Sequence, residues 1–286
     1  MRRYKFRPRR SRPVYGPHRA RRVVHKRRTT RPRRAFTGRK RLLNITSEKK
    51  WDDMPQYYTD ALGDHTQGSI TFTATNRFLF LASARPLYFG ISAKDNNRQS
   101  KETFAVGYKE RIEIDVENAQ QWRWRRIAFR FVGDPFVGTG TAASVPFYDN
   151  PTAGMTRNLN TMNLAQLNTV QGIIYEGTQG VDWFDERVAK VDRRRINLIS
   201  DSTMHLKGFN DQSHSHTFNR WYGVRKRLVY NDVQDGKTVA GTNYVSVQDN
   251  KSCGDVYIYD YFYNTAGDIG EPIQVTFQGR WYWHER

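Results

Sequence analysis

The sequence predicts an all-β protein: a single antiparallel jelly-roll sandwich with long loops, one short helix and a disordered basic N-terminal arm. Three observations predict it. Apolar and polar residues alternate with a period of two through much of the chain after residue 41. Long polar connections separate these runs, with neither the strand–helix rhythm of a parallel sheet nor an internal repeat. The first 41 residues hold 19 Lys and Arg and no Asp or Glu, and the other 28 of the 47 basic residues are balanced by 28 acidic ones. The whole excess of +19 therefore belongs to the arm, and the body is neutral.

In chain order, the arm comes first. Pro8, Pro13, Pro17 and Pro32, with Gly16 and Gly38, break helices, and like charges repel along it. It has too few apolar residues to offset its ordering entropy and is expected to stay disordered until it meets a partner. Residues 42–286 contain no linker and read as one domain, long enough to bury a core without staples. Its strands follow from alternation: Ile70–Thr75, Arg111–Glu117, Ile127–Phe131, Val256–Tyr263 and a last strand over Ile273–Trp283. Further strands are expected near Arg195–Ser200, Thr203–Phe209 and Val224–Tyr230. Leu164, Leu167, Val170 and Ile174 recur at helical spacing and predict the one helix, over Met162–Tyr175. Gly133–Asn160, Asn231–Asp255 and Lys94–Gly107 read as long loops of the kind that carries function.

The arm's chemistry is phosphate neutralisation with counterion release, and nucleic acid is the polyanion that suits it. The candidate contacts are Arg2, Arg3, Lys5, Arg7, Arg9, Arg10 and Arg12, then Arg19, Arg21, Arg22, Lys26, Arg27 and Arg28, then Arg31, Arg33, Arg34, Arg39, Lys40 and Arg41. Arg adds a planar fork that matches phosphate. Tyr4, Phe6, Tyr15 and Phe36 lie among the charges, placed to stack on unpaired bases or merely incidental. The same clusters, Arg21–Arg28 above all, read as a nuclear-import signal. A membrane partner is not expected. The longest apolar run is Phe78–Ala82, and no myristoylation glycine follows Met1. Cys253 is alone, so no internal disulfide is expected and the chain reads as made in a reducing compartment.

In the body, Trp122-Arg-Trp-Arg-Arg-Ile127 concentrates cations at the start of a strand. Arg126 and Arg130 have the parity opposite to Ile127 and Phe129, so they are expected to leave the core together. They either make a second nucleic-acid contact or pair with carboxylates such as Glu113 or Asp115. Arg193-Arg194-Arg195 poses the same choice, with Asp185, Glu186 and Asp192 nearby. His214 and His216 form the one close histidine pair, but they read as part of a polar loop with no third ligand or tyrosine nucleophile beside them. Asp232, Asp235 and Asp249 resemble a calcium set only loosely, because Asp235-Gly236 is a turn signal. There is no phosphate-binding P-loop, no nucleophile elbow and no CxxC pair, so no catalytic centre, metal or cofactor is expected. Tyr257, Tyr259, Tyr261 and Tyr263 share one strand face. Such a face predicts burial, either at a subunit interface or beneath a second sheet of the same domain.

Several segments resemble the capsid protein of genomoviruses and, more distantly, geminivirus coat proteins. They are Leu43-Asn-Ile-Thr-Ser-Glu-Lys-Lys50 after the basic arm, Trp122-Arg-Trp-Arg-Arg-Ile-Ala-Phe129, Asp182-Trp183, Leu228-Val-Tyr-Asn-Asp232, Gly254-Asp-Val-Tyr-Ile-Tyr-Asp-Tyr-Phe262 and the terminal Tyr282-Trp-His-Glu-Arg286. They occur in the family's order from end to end. The resemblance implies a structural, non-enzymatic coat subunit with one jelly roll and a small T=1 icosahedral shell of about sixty copies. It also implies an encapsidated circular single-stranded DNA genome, a host nuclear-import receptor as a further partner, and residence in the virion and the host nucleus. The alternative is a cellular nucleic-acid-binding structural protein with a basic tail. Such a protein would usually carry a basic body face, which the neutral composition of 42–286 does not suggest.

Overall fold

The computed structural model describes residues 38–59, 64–88, 96–117, 120–137, 145–208, 213–235, 238–241, 243–264 and 271–286. The chain divides into two units, Met1–Leu42 and Leu43–Arg286. In chain order the elements are α1 (Arg39–Thr46), β1 (Glu48–Met54), β2 (Gln56–Thr59), β3 (His65–Gln67), β4 (Ile70–Phe72), β5 (Asn76–Leu81), β6 (Glu102–Val116) and β7 (Gln121–Phe131). They continue with β8 (Tyr148–Asn150), β9 (Gly154–Asn158), α2 (Leu164–Ile174), β10 (Asn197–Lys207), β11 (His214–Val229), β12 (Val233–Asp235), β13 (Thr238–Gly241), β14 (Asp255–Asn264) and β15 (Ile273–Glu285).

Two antiparallel sheets form the sandwich, accompanied among the described residues by a four-stranded sheet, β3-β2-β9-β8, and the β12-β13 pair. The first runs β1-β15-β6-β11, with β4 also paired to β15, and the second runs β10-β7-β14-β5. Taken as eight consecutive strands, these sheets pair first with eighth, eighth with third and third with sixth, then fifth with fourth, fourth with seventh and seventh with second. That wiring is a jelly roll. Period-2 alternation explains why β15 sits in the first sheet: Ile273, Val275, Phe277, Trp281 and Trp283 are buried while the residues between them are partly or fully exposed. Gln56 clamps the seam. Its amide donates to the Val275 carbonyl at 3.1 Å and accepts from the Phe277 N–H at 2.6 Å. Gly279 is required by packing, because a Cβ there would meet the Tyr108 hydroxyl at 1.8 Å.

Between the sheets lies an aromatic core that includes Phe78, Ile112, Trp122, Trp124, Phe262 and Phe277. Trp124 stacks on Phe262 with centroids 5.5 Å apart. The helix expected over Met162–Tyr175 forms as α2, Leu164–Ile174, capped by Asn163, whose side chain accepts from the Gln166 N–H at 2.8 Å.

Several expectations are revised. The strands expected at Arg195–Ser200 and Thr203–Phe209 are one strand, β10, with a bulge between Leu198 and Ser200. Strand β11 starts at His214, not near Val224, so His214 and His216 lie on a strand. The region 94–107 is loop only in part, since β6 starts at Glu102. The region 133–160 contains β8 and β9. A second helix, α1, takes in the last basic cluster from Arg39 onward.

Candidate nucleic-acid interface

Of the arm's candidate contacts, Arg2 through Arg34 lie outside the described residues, as do the side chains of Arg39 and Lys40. Arg41 is described and is exposed on α1.

Of the two body cations proposed beside them, one is in the core and the other is half-buried. Arg126 is buried, ion-paired with Glu110 and, at 3.3 Å, with Asp260. Arg157 completes the group, pairing with Glu110 and, at 2.5 Å, with Asp260. The Trp124 indole N–H donates to Asp260 at 2.7 Å and the Tyr108 hydroxyl to Glu110 at 3.0 Å. Burial alone would lower the Arg126 pKa, but the Asp260 and Glu110 carboxylates more than offset it and hold it above its ordinary value. The parity expectation was therefore inverted. Trp122, Trp124 and Arg126 face the first sheet, and the cation's partners are Glu110 across the sandwich and Asp260 on β14, not Glu113 or Asp115. Arg130 is half-buried and donates to the Cys253 carbonyl at 3.1 Å.

The tyrosine face is likewise internal. Tyr257, Tyr259, Tyr261 and Tyr263 are all buried within the one chain, so they are not available as a subunit contact. What covers them is the segment between β7 and β10, not a second sheet. Phe136 packs edge-on against Tyr257 at 4.8 Å. Glu186 accepts from the Tyr259 hydroxyl at 2.6 Å, from Arg77 at 2.7 Å and from Gln171 at 2.6 Å. Arg125 donates to the carbonyls of Glu186 and, at 2.9 Å, Ala189. Burial, then the neighbouring Tyr175 and Glu186, raise the Tyr259 pKa well above the ordinary phenol value, so it stays a donor.

The remaining candidates also resolve into local pairs. Asp192 accepts from the Arg194 N–H at 2.8 Å and pairs with the Arg195 guanidinium at 3.3 Å. Asp232 is held by Arg98 at 2.6 and 3.0 Å, so it is committed to an ion pair and does not gather with Asp249, which lies 3.6 Å from Lys251. His214 and His216 meet edge-to-face at 4.6 Å, and His216 contacts the Lys207 backbone. Among the described residues no group of three or more His, Cys, Asp or Glu is arranged to hold a metal, and no helix is long and apolar enough to cross a membrane.

The outward face of the first sheet, not singled out by sequence reasoning, is open. Strand register orders it in cross-strand rows. Asp115 and Glu113 lie toward one end, beside Gln274 and Thr276. Arg111 with Asn219 and Gln278 comes next. Then come Trp221, Lys109, Arg280 and Asp53; Gly223, Gly107, Tyr282 and Trp51; and Arg227, Phe104, His284 and Lys49. Trp221 is 47 % exposed, Phe104 44 % and Trp51 38 %. The Trp221 ring lies over Gly107, where a Cβ would sit 2.8 Å from it, and meets Tyr282 edge-on at 5.7 Å. The Arg280 guanidinium stacks 4.1 Å over Trp51 while bonded to Asp53 at 2.6 and 2.8 Å. Burial, then the Lys49 ammonium, lower the His284 pKa, so that ring is neutral at neutral pH. A bulge in β11 between Gly223 and Lys226 puts Arg225 at φ 51° and leaves Arg225, Lys226 and Arg227 all exposed. The signal that could have pointed here was the parity of Tyr282 opposite Trp281 and Trp283.

No family model and no curated protein matches the chain. Among solved structures, a CocE/NonD family hydrolase from Staphylococcus aureus overlaps with 8% identity over 81% of this chain and a TM-score of 0.15; the chain spans 37% of that protein's length. VP1 of Trichodysplasia spinulosa-associated polyomavirus overlaps with 9% identity over 84% of this chain and 75% of its own, TM-score 0.10. An unassembled KI polyomavirus VP1 pentamer gives 11% identity over 83% and 76%, TM-score 0.10. Scores this low carry no argument; the jelly roll stands on the strand order of the chain itself.

Proposed function

We propose that the chain is the structural subunit of a viral shell, a genomovirus-like capsid protein that packages circular single-stranded DNA. The body assembles with copies of itself, about sixty in a T=1 particle. Residues 1–41 neutralise the genome and carry the nuclear-import signal, and no catalytic step is involved. The observation that carries this reading is the segregation of charge: 19 basic and no acidic residues in 1–41, attached to a neutral jelly roll. Mass action links the two parts. DNA relieves repulsion between arms, and assembly concentrates the arms around the DNA.

The test is to purify the full chain, measure particle mass and image it, with and without a circular single strand. Megadalton shells containing DNA that dissociates steeply with salt are expected. A chain that remains a 33.6 kDa monomer with DNA present would instead fit a cellular nucleic-acid-binding protein with a basic tail.

A further inference from the structure

We infer that the outward face of the first sheet is a second nucleic-acid contact, one that stacks unpaired bases. This rests on the single-stranded DNA reading above and assigns a base-contacting site to the body. Three successive rows of this face, about 7 Å apart, present Trp221, Tyr282 and Trp51, and Phe104. Trp221 is held broadside by the Gly107 floor and by Tyr282, so it is already ordered and loses little freedom on binding.

Charge selects the occupant. The carboxylate in these rows, Asp53, is paired with Arg280, and Glu102, at the start of β6 just beyond them, is paired with Arg227. Lys49 and Lys109 are exposed and, among the described residues, have no ion-pair partner. A second copy docked here would have to bring a carboxylate to each of these cations. A single strand satisfies both features, phosphate on the lysines and bases on the rings. Asp115 and Glu113 at the far end of the same face would repel the strand and confine it to the aromatic half.

The test uses the full chain and two synthetic strands of equal length and charge, an oligothymidylate and its abasic counterpart, with binding followed across a salt series. Wild type should prefer the base-bearing strand by roughly 5- to 150-fold. Trp221→Ala should reduce that preference at least about fivefold with an unchanged salt slope, and Trp221→Phe should restore most of it. Circular dichroism should show all three proteins folded alike. An undiminished preference in Trp221→Ala would place any stacking on the arm's rings and overturn the inference. Unchanged strand binding with loss of particle mass would also overturn it, by making the face a subunit contact. A flat salt slope on the abasic strand would instead defeat the arm's role in packaging, and it is read separately from the base preference.

Discussion

On the outward face of the second sheet, Tyr257, Tyr259, Tyr261 and Tyr263 lie beneath α2 and the segment that follows it; on the outward face of the first sheet, Trp51, Phe104 and Trp221 remain exposed. Both faces are built by the same two-residue alternation on strands rich in large rings. They differ in what stands between the rings. The covered face offers the Tyr259 hydroxyl and Arg77, and a single carboxylate on the covering segment, Glu186, satisfies both. The open face offers Lys49 and Lys109, which a covering protein segment could bury only by supplying matched carboxylates. Cations with no ion-pair partner among the described residues therefore distinguish the exposed face from its counterpart, which becomes core.

This contrast is open to direct attack. The largest effect should come from Glu186→Ala, which removes the acceptor shared by Tyr259, Arg77 and Gln171 and leaves Arg77 partly buried without its partner. A loss of about 3–5 kcal/mol in chemical denaturation is expected. Near-wild-type stability would mean that Glu186 does not hold the covering segment down. Second comes pH. Asp255, at the start of β14, is pushed up to about 6 by burial, although the Ser246 N–H and Ser83 hydroxyl favour its charged form. A carboxyl raised in the folded state favours folding most below its ordinary value of 3.8, and that contribution is lost as pH rises through about 6. Relative to wild type, Asp255→Asn should therefore gain on the order of 3 kcal/mol between pH 4 and pH 7. A difference that stays flat with pH would show that Asp255 does not titrate in this range. The smallest effect should be on the open side, where Trp221→Ala should change unfolding free energy by less than about 0.5 kcal/mol. A cost of several kcal/mol would show that the ring belongs to the fold.

The strands whose two faces differ were plain in the sequence where alternation is unbroken: β15, and β6 from Arg111 onward, have one side that meets the core and one that does not. Strand β7 misled on parity, and β14 hid what covers its tyrosines, for the opposite reason. Both of their sides are buried, so apolar residues occur at odd and even positions, and the pattern does not say which side faces the first sheet. Strand β1 went unseen because its inward positions include Lys50 and Asp52, whose partners Glu285, at 3.2 Å, and Arg85, at 3.2 Å, are far away in the chain. Helix α2 was visible from spacing, but its role as the cover of the tyrosines was not, since periodicity carries no information about distant segments. The rows of the open face were hidden likewise, because register between β11, β6 and β15 is a tertiary property.

The seam between β1 and β15 also sets a clock. Strand β15 lies between β1 and β6, so the first sheet has a gap at its centre until that strand emerges from the ribosome. Gln56 must wait for Val275, 219 residues downstream. At ordinary translation speeds that wait is roughly ten to forty seconds. Throughout it, the inward rings of β6 and β7 have no complete partner sheet and the edge of β6 is unpaired. A nascent chain on a crowded polysome is thus vulnerable to strand exchange with its neighbours until β15 has emerged. The same late closure denies any partially made chain the surface of a complete one.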